Sequence, residues 1–188
     1  MAEVVLFHHA HGLTSGVEAF AERLAEAGHT VHVPDLYDGR IFVDLGAGLD
    51  YAQEVGFGTI AERGRLAVEG LSPEVVYLGF SLGVLPAQML AQTKPGAVGA
   101  LLVSACVPAS EFGGWPPSVP VQVHAMADDA SFVDDGDLDA ARALVAGAPD
   151  GGLFLYPGDK HLFADESLSS YDEVAAALLM ERVLAFLK

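Results

Sequence analysis

The chain has 188 residues, with nine Lys and Arg against 26 Asp and Glu, a formal charge of −17 and 52% hydrophobic residues. Such a field repels phosphate backbones and anionic lipid surfaces, which argues against a nucleic-acid or membrane partner. No apolar run approaches the roughly 20 residues of a bilayer span, the N-terminal segment lacks the basic start of a signal peptide, and Cys106 has no disulfide partner, so a cytoplasmic, single domain over residues 1–188 is expected.

Val4 to Phe7 is a short apolar, β-branched run, the pattern of a buried strand, and it ends in His8-His9-Ala10-His11-Gly12. Ser15 with Glu18 makes a capping-box pattern, and Val17, Phe20, Ala21 and Leu24 follow at helical spacing. Gly28 ends that helix, and Thr30 to Val33 resumes a strand that Pro34-Asp35 stops. Further strands are expected over Val75 to Phe80, Val98 to Ser104, Val119 to Ala125 and Leu153 to Tyr156. Each reads as buried on both faces, as parallel strands are.

Helices are expected over residues 60–70, 82–93 and 138–147, the last with Asp137 as N-cap. A final helix opens on the capping box of Ser170 and Glu173. Alternating strands and helices predict a doubly wound, mostly parallel α/β sheet of about six strands, with its active site at the carboxyl ends of the strands. Two stretches, Leu36 to Gly58 and Val107 to Ser118, read as long irregular loops, and loops of that length in compact domains are often functional. About a dozen residues follow the strand ending near Ser104, which leaves little room for a separate lid domain.

Gly79-Phe80-Ser81-Leu82-Gly83 matches G-x-S-x-G between a strand and a helix, the place of a nucleophile elbow. A serine on such a sharp turn projects its hydroxyl above the sheet, and the flanking glycines let strand and helix pass closely. A base belongs in a loop after a later strand, where His161 stands. An acid belongs between serine and histidine in chain order, and Asp128-Asp129 follows the Val119 to Ala125 strand. Successive side chains near a strand end point in roughly opposite directions, so only one of the two aspartates is expected to reach the imidazole.

Across nearly the whole chain the pattern resembles the dienelactone hydrolase family of α/β-hydrolase fold. The resemblance lies in His11-Gly12 after the first strand, Val33-Pro34-Asp35-Leu36-Tyr37 after the second, the Ser81 pentapeptide, and Tyr156-Pro157-Gly158 leading into His161-Leu162-Phe163. It implies a Ser81-His161-Asp129 triad, with Asp129 selected by its spacing from His124, and an oxyanion hole from the N–H groups of Leu82 and Ala10. Members that open dienelactones use a cysteine nucleophile and an arginine shortly after the histidine. Here those positions hold Ser81 and Asp165, and Asp165 is expected to repel carboxylate-bearing substrates.

His8, His9 and His11 do not form a metal pattern, because alternation sends His8 and His9 to opposite faces and no acid or cysteine stands at ligand spacing. The turn after the first strand lacks G-x-G-x-x-G. No metal or cofactor is therefore expected. His9, His11, Tyr37 and Trp115 are expected to line the substrate pocket, and Asp134-Asp135-Gly136-Asp137 to be a solvated turn and helix cap. The expected function is hydrolysis of a small ester, lactone or related acyl compound, in a monomer or a homo-oligomer. The alternative is a non-catalytic small-molecule-binding protein that retains the fold.

Overall fold

The computed structural model describes residues 1–188. Six strands, β1 (Glu3–Phe7), β2 (Thr30–His32), β3 (Val75–Phe80), β4 (Gly99–Val103), β5 (Val121–Met126) and β6 (Gly152–Tyr156), form one sheet in the order β2-β1-β3-β4-β5-β6. Every pairing is parallel. After β1 the chain moves outward to β2 and then crosses back to β3 on the other side. The crevice beyond β1 and β3 is thus the topological switch point, where open α/β sheets bind ligands.

Period-two alternation divides the strand residues between two cores. Val5, Phe7, Tyr77, Leu102 and Val123 face helices α2 (Leu45–Val55), α3 (Phe57–Ala67), α4 (Val84–Thr93), α5 (Ala130–Val133) and α6 (Asp137–Gly147). Val4, Leu6, Leu78, Leu101 and Met126 face α1 (Ser15–Glu26) and α7 (Glu173–Phe186). In α1, Val17, Phe20 and Leu24 form the buried stripe, and in α7 Leu179 and Val183 do so. Complete burial of one such Leu or Phe contributes about 1.5–3 kcal/mol.

Three local expectations are corrected. The cap of α1 is Thr14, whose hydroxyl accepts from the Val17 N–H, and Ser15 is already helical. The cap of α7 is Asp172, not Ser170, whose hydroxyl instead donates to the Leu162 carbonyl. Residues 36–58 are not one irregular loop: α2 occupies most of the second half, capped by Asp44. Gly46 and Gly48 weaken the helical signal there, yet a Cβ on Gly48 would collide with the Ala10 carbonyl, so this approach requires glycine. Between β4 and β5 the chain makes one 3-10 turn, Ala109–Phe112, and carries no inserted lid. No helix is long and apolar enough to cross a membrane.

Candidate active site

Ser81 follows the last residue of β3 with a φ of 48°, in the left-handed region that a residue with a Cβ occupies only when its surroundings hold it there. Both flanking glycines are required. A Cβ on Gly79 would stand 2.6 Å from the Val84 nitrogen, and one on Gly83 would stand 2.6 Å from the His8 carbonyl oxygen. These neighbours are backbone and cannot rotate away. The turn therefore packs between the start of α4 and the end of β1, and the first N–H of α4, that of Val84, bonds back to the Ser81 carbonyl.

The hydroxyl of Ser81 donates to His161 Nε2 at 2.7 Å, and His161 Nδ1–H donates to Asp129 Oδ2, also at 2.7 Å. Asp129 is 2% exposed and caps α5, its Oδ1 accepting the Ser131 N–H at 3.1 Å. Asp128 is exposed and contributes only its backbone N–H, to the Gly158 carbonyl. Gly158, at φ 127°, brings the chain close over the Met126 sulfur, and the Lys160 N–H bonds that sulfur, which sets the height of the His161 loop. Leu162 and Phe163 then bury themselves, Phe163 against Tyr156, and hold the end of the loop in the core.

Ala10 lies three residues past Phe7, the register partner of Gly79, and is fully buried. Its N–H donates to no other group of the chain. Leu82 is the middle residue of the 3-10 turn Ser81–Gly83.

A cleft of about 460 Å³ opens over Ser81 and His161. One wall is apolar, built from Leu45, Leu49, Phe57, Leu85 and Val107; the opposite rim carries Ser131, Asp135 and Asp137. None of the four residues expected to line this pocket does so. Tyr37 is fully buried and donates to the Gly48 carbonyl, Trp115 donates to the Val119 carbonyl beside a separate depression, and His9 lies beneath the site. The aromatic rings join core edges because indole and phenol each find a backbone acceptor there. His11 faces a second groove on the other side of His161.

The aspartates of the 134–137 turn do more than solvate it. Asp137 is the first residue of α6 rather than its cap, and its Oδ2 accepts the Cys106 N–H. Burial, reinforced by Asp135, pushes its carboxyl above the usual carboxylate range. Ser104, at the end of β4, has a φ of 64° and a buried hydroxyl with no partner in the chain, and it too lines the cleft. These residues reach the cleft through long-range packing, for which the sequence pattern carries no signal beyond the Leu45–Leu49 spacing behind Asp44.

Asp165 is the largest correction. It is 4% exposed, not a charge facing substrate: Oδ2 accepts from His9 Nε2 at 2.7 Å and from the Thr14 hydroxyl, while Oδ1 accepts from the Ser167 N–H and hydroxyl. Burial alone would raise its carboxyl, but these donors outweigh it and hold the group at about 2. His9 Nδ1 accepts the His11 N–H, which leaves Nε2 as the donor to Asp165. His8 is also a structural imidazole: Nε2 accepts the Leu36 N–H, Nδ1–H donates to the His9 carbonyl, and burial lowers it to about 4. An arginine at 165 would strand a charge in this network.

The parallel sheet, the serine turn after a central strand and the histidine loop after the last strand define an α/β hydrolase. The chain belongs to the dienelactone hydrolase family, whose model matches residues 1–188, and is a hydrolase of the esterase-like class. Among solved structures it is similar to a protein of Klebsiella pneumoniae subsp. pneumoniae assigned as a dienelactone hydrolase, with 20% identity and a TM-score of 0.76 over 100% of this chain and 86% of that one. It is also similar to a dienelactone hydrolase-like promiscuous phosphotriesterase from metagenomic libraries, with 18% identity and a TM-score of 0.72 over 100% and 85% of the two chains. At these identities the likeness is one of fold. No curated protein is similar enough in sequence to match.

Proposed function

We propose that the protein hydrolyses small uncharged esters or lactones through an acyl-enzyme on Ser81, without a cofactor. The observation that carries this reading is the continuous hydrogen-bonded line from Ser81 through His161 to the buried carboxylate of Asp129. His161 takes the Ser81 proton as Oγ adds to the acyl carbon, and Asp129 holds the imidazole tautomer and stabilises its cation. The N–H groups of Leu82 and Ala10 receive the developing oxyanion, a role consistent with the free donor on Ala10. His161 then gives the proton to the leaving oxygen, and a water activated by the same imidazole releases the acid.

The apolar wall of the cleft suits an alkyl or aryl acyl group, and Asp135 and Asp137 disfavour an acyl group that carries a carboxylate. That preference, expected from Asp165, rests instead on these two aspartates. A fluorophosphonate probe tests the reading. It should label Ser81 in the folded protein, label Ser81→Ala not at all and label His161→Ala far more slowly. An unlabelled folded wild type would mean a binding protein on a hydrolase fold.

A further inference from the structure

We infer that the groove beyond His161 is the leaving-group site and that it takes an uncharged, polyhydroxylated alcohol; this rests on the esterase reading above. The groove measures about 490 Å³ and is formed where the loop after β1, the approach to α2 and the loop after His161 meet. It shares Leu45 and His161 with the serine cleft but does not include Ser81. His161 is therefore the partition between two cavities.

Which part of an ester enters which cavity follows from the proton's route. Three groups surround the acyl carbon during attack. The carbonyl oxygen turns to the backbone donors, and the acyl chain has the apolar cleft beside Ser81. The remaining oxygen must come to His161 Nε2, because that nitrogen returns the proton taken from Ser81. In the step itself a bond forms from Ser81 Oγ to the acyl carbon while the Ser81 proton moves to Nε2. The bond from carbon to the alcohol oxygen then breaks, and that oxygen keeps the electron pair and takes the proton. Whatever is attached to it extends past the imidazole, into the groove.

The lining specifies the chemistry. His11 Nδ1–H donates to the Phe42 carbonyl, so its Nε2 remains an acceptor. Asp44 uses Oδ1 to cap α2 and keeps Oδ2 free. The hydroxyl protons of Ser167 and Ser170 are already given to Asp165 and to the Leu162 carbonyl, so those oxygens also face a ligand as acceptors. Ser169 is exposed and engages no group of the chain. No Lys or Arg lines the groove, which leaves nothing to balance an anionic ligand. An excess of acceptors without a cation suits a neutral molecule rich in O–H donors. The serine cleft, by contrast, is mostly hydrocarbon along its long wall.

Glyceryl butyrate and its di-O-methyl ether test the assignment, since they share one acyl-enzyme and have similar inductive effects but differ in O–H donors. Wild type should show kcat/KM about tenfold higher for the glyceryl ester, the scale of one or two added hydrogen bonds. Ser169→Trp fills the groove from an exposed position and should bring the ratio close to one. Asp44→Asn retains the helix cap and should lower the ratio several-fold through loss of the charged acceptor. Leu49→Trp, in the acyl cleft, should change both esters by the same factor and leave the ratio intact. Equal kcat/KM values in wild type, or a ratio indifferent to both groove variants, overturn the leaving-group site alone. Failure of wild type to hydrolyse either ester overturns the esterase reading and the groove with it.

Discussion

Replacing Asp129 with asparagine reverses the imidazole rather than merely weakening it. The Ser131 N–H bonds Oδ1 of Asp129 at 3.1 Å, and only an acceptor satisfies that donor. In Asp129→Asn the amide oxygen takes this position, and the NH₂ group is turned toward His161 Nδ1. That nitrogen must then accept, which moves the ring proton to Nε2, facing the Ser81 hydroxyl. The base is blocked. The corresponding change in a serine protease costs about 10⁴ in kcat, or about 5.5 kcal/mol in the barrier, and a loss of that order is expected here. Asparagine caps helices as well as aspartate does, so the unfolding free energy should change by less than about 1 kcal/mol. Steady-state hydrolysis of p-nitrophenyl butyrate, with urea unfolding on the same samples, separates the two effects. Asp128→Asn should alter kcat by less than about tenfold, as expected for an exposed charge. A folded Asp129→Asn enzyme that retains more than about a tenth of the wild-type kcat would refute the tautomer mechanism and the choice of acid.

Gly48→Ala pushes a methyl group against the Ala10 carbonyl, so kcat should fall about 10²-fold, the scale of one lost oxyanion donor, with the helical circular dichroism unchanged; an unaffected kcat would remove Ala10 from the oxyanion site. Neutral esters should exceed matched carboxylate-bearing acyl esters in kcat/KM, and Asp135→Asn with Asp137→Asn should narrow the gap, whereas a wild-type preference for the anionic ester would contradict the charge of the rim. Stability should decline in mild acid. Burial lowers His8 to about 4 and His124 to about 3, each from 6.5, so below about pH 6.5 the unfolded chain binds protons that the folded chain refuses. Each group then removes up to about 1.4 kcal/mol of stability per pH unit until its folded value is reached. Urea unfolding at pH 7, 6 and 5 measures this slope, and a flat profile would mean that these imidazoles are not buried neutral.

The strands were legible because β1, β3 and β4 are nearly unbroken apolar runs, which have few alternatives to a buried strand, and β5 keeps four apolar residues of six around Gln122 and His124. The Ser81 turn was legible because its glycines are required locally. Chain order placed His161 and the Asp128-Asp129 pair, since each follows a strand in a parallel sheet, but the choice of Asp129 came from its spacing from His124 in the family pattern. The cleft walls were not legible. Leu45, Leu49 and Phe57 are adjacent to Ser81 only after α2 and α3 fold across the sheet, and the glycines that permit α2's close approach weaken its helical pattern. Asp165 misled for a related reason: the resemblance matched it to an arginine that faces substrate in family members, while its partners His9 and Thr14 stand more than 150 residues away. Serines offered as caps, Ser15 and Ser170, each gave way to a nearby Thr14 or Asp172 whose oxygen met the helix N–H groups directly.

The buried contacts of Asp165 join the segment after β1 to the segment after β6, so the site is closed by some of the most distant pairings in the chain. On a ribosome, residues 1–103 can build the serine turn long before residues 161–167 have been made. Such a nascent sheet would hold a strained serine with no base and with the His9 ring unpartnered. Contacts of high sequence separation form late because their loop-closure entropy is met last. On the reading proposed for Ser81, reactivity toward esters therefore arrives with the docking of the C-terminal segment, and the serine stays dormant during the interval when the chain is most exposed to other molecules.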